Sequence, residues 1–96
     1  MTGHGDRPTA QRWVHRPDVH AVELDGETVV YDRPTRRLHL LNPSATVIWM
    51  ALDGQVTGDE LVAELAEQFG VELETMDRQV RDVLTTLSQE GLIQAS

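Results

Sequence analysis

The side chains that most often carry enzyme chemistry are few in this sequence, and their spacing matches no catalytic pattern. The chain has no cysteine, which excludes disulfides, a thiol nucleophile and thiolate metal ligands. No two of its four histidines have an HxH or HxxxH spacing that would suit a metal ion; they are His4, His15, His20 and His39. The pairs Glu60/Glu64 and Glu64/Glu67 have the spacing of a solvated helix face. The sequence therefore predicts a protein that is not an enzyme and uses neither a metal ion nor a cofactor.

Length and charge narrow the class of protein further. The 96 residues, of which 40% are hydrophobic, suffice for one domain with a modest core. The N-terminus lacks the apolar core of a signal peptide and no apolar run could span a bilayer, so we expect a cytoplasmic protein. Charges balance over residues 1–41, and the formal net charge of −8 falls on residues 42–96. An acidic half of this kind repels phosphate and argues against nucleic-acid binding.

Strand signals are confined to the first half of the chain. Residues 1–17 are polar and predict a flexible tail, whose end Trp13 and Val14 could anchor on the domain. Beyond this tail, alternating apolar residues and the turn signal Asp25-Gly26 predict a sheet built from hairpins. Its three strands are predicted near residues 19–24, 27–31 and 36–41.

The second half of the chain predicts three helices with recognisable starts. Asn42 can cap a helix that has Pro43 at its first position. Thr57 and Glu60 form a capping-box signature for the next helix. The helices are predicted near residues 43–53, 58–69 and 74–90. Together with the strands they predict an α+β, winged-helix-like fold in which a three-stranded antiparallel sheet packs on three helices.

The third predicted helix has an apolar stripe and a charged face. The stripe has a period of 3.6 residues and predicts core positions at Met76, Val80, Val83, Leu84 and Leu87. On the charged face, Arg78 and Asp82 lie four residues apart and could form an ion pair. A DNA-reading winged helix would place this helix in the major groove. Its two arginines among several acids make that function the weaker alternative.

The third predicted strand ends the sheet and leaves backbone groups without partners. An extended peptide could pair with such an edge through main-chain hydrogen bonds. Alternatively, the charges of Arg36 and Arg37 guard the edge against pairing. The residues alone leave these two interpretations equal.

The stretch from Tyr31 to Ile93 resembles the PqqD family, whose members are also described as precursor peptide recognition elements of ribosomally synthesised and modified peptides. The resemblance rests on the order and spacing of several short blocks. These are Leu40-Leu41-Asn42, Ser44-Ala45-Thr46-Val47-Ile48-Trp49, Leu52-Asp53-Gly54, Thr57 with Glu60-Leu61, Leu65-Ala66-Glu67-Gln68-Phe69-Gly70-Val71, Leu87 and Gly91-Leu92-Ile93.

The resemblance implies that the leader segment of a precursor peptide pairs as an added strand with residues 36–41 and lies beside the third helix. The implied backbone contacts are Arg36, Arg37, Leu38, His39, Leu40 and Leu41. The implied cleft wall is Met76, Asp77, Val80, Arg81 and Leu84. A proline at an outward-bonding position of the strand, for which His39 is one candidate, would then block pairing.

The resemblance also implies a role and partners. Residues 18–96 would be the peptide-binding domain, and the protein would present the leader to a separate leader protease or radical-SAM enzyme, without nucleic acid or membrane. The small discrete domain favours the stand-alone type found in lasso peptide pathways. Two other functions stay open: a winged-helix DNA-binding protein, and a structural interaction module that dimerises through the same edge.

Overall fold

The computed structural model describes residues 7–96. Over these residues the helices lie beside two three-stranded antiparallel sheets, which confirms the predicted α+β class; the winged-helix likeness stays a prediction. In chain order the elements are a 3₁₀ turn (Pro8–Ala10), β1 (Arg12–His15), β2 (Val19–Leu24), β3 (Glu27–Asp32), β4 (Arg37–Leu41), α1 (Pro43–Met50), β5 (Asp53–Thr57), α2 (Gly58–Phe69), α3 (Leu73–Gln89) and β6 (Ile93–Ala95).

The first sheet has the strand order β2-β3-β4 and contains the three strands that the sequence predicts. Asp25 and Gly26 join β2 to β3 with φ angles of 53° and 83°, the positive values that a tight two-residue hairpin turn requires. Arg36, at φ 60°, belongs to the next turn, so β4 begins at Arg37. Among the described strands β4 pairs only with β3, and it is therefore an edge of this sheet.

The helices begin at the predicted caps. The Asn42 side chain accepts a hydrogen bond from the Ala45 N–H at 2.8 Å. At the start of α2, the Thr57 hydroxyl accepts from the Glu60 N–H at 3.1 Å, and the Glu60 carboxylate accepts from the Thr57 N–H at 2.8 Å. This reciprocal pair satisfies two N–H groups that the first turn of a helix leaves free. The first helix ends at Met50, earlier than predicted, because the chain enters β5 at Asp53.

A second sheet, which the sequence analysis did not predict, has the order β5-β1-β6. Its central strand, β1, lies in the segment that the sequence predicts to be a flexible tail. The structure differs from this prediction, because Pro8–Ala10 form a 3₁₀ turn and Arg12–His15 form a strand. Residues 1–6 lie outside the described residues. Trp13 is buried, and its indole N–H donates to the Pro8 carbonyl at 2.7 Å. The three strands have only three to five residues each, too few for alternation to stand out in the sequence.

The N-terminal segment is attached to the helices at two places. The Gly58 N–H donates to the Gln11 carbonyl at 3.0 Å, and the backbone of Thr9 lies so close that a Cβ on Gly58 would come within 2.5 Å of the Thr9 Cα. At the end of β1, the His15 ring stacks on Trp49 with centroids 3.7 Å apart, and its Nε2 donates to the Trp49 carbonyl at 2.7 Å. The second sheet is thus joined to both α1 and α2.

The core lies between the helices and the face of the first sheet that carries Thr28, Val30 and Leu41, here called the inner face. From α3 it includes Met76, Val80, Leu84 and Leu87, as the apolar stripe predicts. Val83, the fifth member of that stripe, is only partly buried and packs against the edge of the core.

We expect Gly58→Ala to destabilise the domain by about 1–3 kcal/mol, because the added methyl group would clash with the Thr9 backbone and displace the N-terminal segment. Urea denaturation followed by circular dichroism measures the loss. Glu64→Ala, at an exposed position of the same helix, is the control and should change stability by less than about 0.5 kcal/mol. Equal stability of Gly58→Ala and the wild type would contradict the close packing.

The capping box should also make stability depend on pH. The Thr57 backbone N–H donates to the Glu60 carboxylate and holds the pKa of Glu60 below its ordinary value. A lowered folded-state pKa stabilises the fold at pH values above the unfolded-state pKa, and this contribution is lost as the pH falls through the folded-state pKa. The melting-temperature advantage of the wild type over Glu60→Gln should therefore be full at neutral pH and shrink below about pH 4. A difference that is constant over this range would contradict the assignment.

Candidate functional site

The free edge of β4 is the first part of the site, and the hairpin register shows which backbone groups it offers. Leu24 and Glu27 flank a two-residue turn and therefore exchange hydrogen bonds with each other. Since bonding alternates along antiparallel strands, Thr28, Val30 and Asp32 direct their backbone groups to β4. Their partners in the register are Leu41, His39 and Arg37. The N–H and C=O groups left at the free edge of β4 are those of Leu38 and Leu40.

A groove along α3, which runs from the end of β4 to the space between α1 and α2, is the second part of the site. It consists of two adjoining cavities of about 210 and 630 Å³, which share Asn42, Ala45, Asp82 and Val83 in their linings. The smaller cavity lies against the end of β4. The larger one continues past the start of α1 to the end of α2, where Phe69 contributes an exposed ring. Most of the lining is apolar, so the groove suits side chains of an extended, partly apolar ligand.

The structure places the six predicted strand residues in four different settings. Leu38 and Leu40 are 70% and 68% exposed on the outer face of the sheet, opposite the helices. Leu41 is part of the core, and Arg36 and Arg37 are exposed at the turn. His39 lies on the inner face, where its Nδ1 is 3.8 Å from a Glu90 carboxylate oxygen; its buried Nε2 has no hydrogen-bond partner among the described residues. Only part of the predicted strand therefore borders the free edge.

The predicted cleft wall on α3 is largely different from the wall that the structure shows. Val80 and Leu84 are fully buried in the core, and Met76 reaches the larger cavity only from a buried position. Asp77 and Arg81 pair with each other at 3.4 Å and line neither cavity. Met76, Val80 and Leu84 belong to the buried apolar stripe of α3. Asp77 and Arg81 lie outside the groove, whose wall is formed by the residues beside that stripe.

The observed wall on α3 is a polar ridge formed by Gln79, Asp82 and Thr86, with Val83 beside it. The ridge residues have the spacing i, i+3 and i+7, which places them on one side of a helix. They were not among the predicted site residues, because Gln79 and Thr86 are isolated polar residues and Asp82 belongs to the charged face of the helix. Asp82 makes no ion pair among the described residues, and the predicted Arg78–Asp82 pair is replaced by Arg81–Asp77.

The outer face of the first sheet is also apolar. Besides Leu38 and Leu40, it exposes Val22 and Leu24 from β2 and Tyr31 from β3. A strand added at β4 would extend this face, because every second side chain of the new strand would point the same way.

Residues 7–96 contain no group of three or more His, Cys, Asp or Glu side chains that could hold a metal ion. None of their helices is long and apolar enough to cross a membrane.

The protein is thus a small α+β domain in which the free edge of an antiparallel sheet lies beside a groove lined by helices. Residues 27–93 match the family described as Coenzyme PQQ synthesis protein D (PqqD), and the chain belongs to this family. No curated protein matches the chain.

Solved structures share the same fold. One is TbiB1 in complex with the TbiA(beta) leader peptide, at 23% identity and a TM-score of 0.77, with 84% of this chain and 94% of that chain covered. Another is lasso peptide synthetase B1 complexed with the leader peptide, at 20% identity and a TM-score of 0.77, with 86% of this chain and 98% of that chain covered.

The burial of α3 residues predicts how two neighbouring substitutions differ. Leu84→Ala should destabilise the domain by about 2–5 kcal/mol, since it opens a cavity at a fully buried position. Val83→Ala removes a half-buried side chain at the groove and should cost about 1 kcal/mol. Urea denaturation of both variants measures the difference. Equal costs would mean that Leu84 faces the groove, as the sequence analysis expected.

Proposed function

We propose that this protein binds the leader segment of a ribosomally synthesised precursor peptide by strand addition at the free edge of β4. The observation that carries the proposal is the unpaired backbone of Leu38 and Leu40 beside a groove of mostly apolar lining. An extended peptide can satisfy these groups and fill the groove at the same time. Membership of the PqqD family and the likeness to two leader-peptide complexes support the choice of ligand.

The binding geometry follows from the spacing of strands in a sheet. A fourth strand would lie about 4.8 Å beyond β4 and would exchange hydrogen bonds with Leu38 and Leu40. Alternate side chains would enter the groove along α3, and the others would join the outer face. Main-chain bonding then contributes affinity for many sequences, whereas the groove selects among them.

We further propose that the protein acts without catalysis, as an adaptor that presents the bound leader to a separate enzyme in the cytoplasm, where ribosomal precursors are made. One of the two leader complexes carries the name lasso peptide synthetase B1, which supports a pathway of that type. A leader protease is then the partner that we propose. A radical-SAM enzyme is the alternative partner.

Leu38→Pro should weaken leader binding by about tenfold or more, because proline removes an outward N–H and its ring hinders close pairing. Leu38→Ala keeps the N–H, and the Leu38 side chain lies outside both cavities. The affinity of this variant for the leader should therefore stay within about threefold of that of the wild type. The measurement is fluorescence anisotropy with labelled candidate leader peptides, compared through the one that the wild type binds most tightly. His39→Pro, which the sequence analysis suggested, is unsuitable because His39 directs its N–H to β3.

Two results would contradict the proposal. Equal binding by a folded Leu38→Pro variant and the wild type would place the peptide away from this edge. Tight binding of duplex DNA at physiological salt, together with no response to any leader, would favour the DNA-binding alternative.

A further inference from the structure

Asp82 is the charged residue in the lining of the groove. It lines both cavities, at the point where they join, and it makes no ion pair among the described residues. Glu90, the residue that follows α3, lines neither cavity, and its carboxylate oxygen lies 3.8 Å from Nδ1 of His39. Asp82 is therefore the carboxylate of the groove wall that a ligand would meet without a competing partner.

A ligand that covers Asp82 has to compensate for the lost hydration of its charge. Burying an unpaired carboxylate is unfavourable, whereas the attraction of a cation that pairs with it offsets part of the desolvation cost. The neighbouring groups on the ridge, Gln79 and Thr86, are neutral and offer no positive charge. A ligand with a cation at this position would thus be favoured over one with a neutral or acidic side chain.

We propose, resting on the function proposed above, that Asp82 determines specificity by selecting a leader with a lysine or arginine at one position. This position is the one that crosses the junction of the two cavities. Since alternate residues of a strand point the same way, the two groove-facing neighbours of this basic residue lie two positions before and after it. They would enter the mostly apolar cavities on either side. The selected pattern is a basic residue with an apolar residue at each of these positions.

The test is a selection of random twelve-residue peptides, displayed in many copies, on four forms of the protein: wild type, Asp82→Asn, Asp82→Lys and Glu64→Gln. Glu64 is exposed on α2 and outside both cavities, so Glu64→Gln matches the charge change of Asp82→Asn without touching the groove. We expect wild type and Glu64→Gln to enrich lysine or arginine at one position between two apolar positions. Asp82→Asn should lose this preference, and Asp82→Lys should enrich glutamate or aspartate there.

Titration of one selected peptide and its Lys→Glu counterpart then measures the coupling. Asp82→Asn should bind the basic peptide about three- to tenfold more weakly than wild type does, the range for an ion pair that stays partly solvated. Asp82→Lys should prefer the acidic counterpart. Thermal melts of all four forms confirm that each is folded.

Each contrary result has a separate meaning. If all four forms enrich the same residues, or if Asp82→Asn weakens basic and neutral peptides equally, Asp82 does not select a cation and the inference fails while leader binding stands. If the folded wild type enriches no peptide, the proposed function is contradicted and the inference falls with it.

Discussion

The site depends on one constraint: among the described strands, β4 has a hydrogen-bonded neighbour on one side only. Backbone N–H and C=O groups at a sheet edge stay accessible to water and to other chains, and proteins usually cover or interrupt such edges. Here α3 stands beside the edge without pairing to it, and the groove begins in the space between them. The helix therefore limits what can approach the edge.

The second sheet explains how α3 is held in this position. The 3₁₀ turn of the N-terminal segment contacts both α2 and α3, and the Thr9 backbone lies against Gly58 at the start of α2. The strand that follows, β1, pairs with β5 and β6. The stacked His15 and Trp49 rings join the same segment to α1. Since α1 begins directly after β4, both walls of the groove are fixed to one framework. A ligand then meets a largely preformed surface, which lowers the ordering cost of binding.

Much of the fold could be predicted from the sequence, because local signals were strong. Asp25-Gly26, Asn42 with Pro43, and Thr57 with Glu60 marked turns and helix starts that the structure shows. The second sheet could not be predicted, since its strands are short and distant in sequence, and only tertiary contacts reveal them. The two positions of β4 that direct their backbone groups outward, Leu38 and Leu40, could be predicted only in part. Counting residues from the Asp25-Gly26 turn identifies them, but only once the pairing of Asp32 with Arg37 is known.

Helix α3 contributes to the core and to the groove with largely different residues. Periodicity identifies the stripe with the most apolar residues, and on α3 this stripe is buried and stabilises the domain. The ridge of Gln79, Asp82 and Thr86 lies on its flank and contributes to the groove. Substitutions on the ridge leave the core packing intact, because surface changes away from packed contacts cost little stability. The chemistry of the groove can therefore vary among related proteins while the fold stays the same. Low identity between proteins that share this fold is what such a separation would produce.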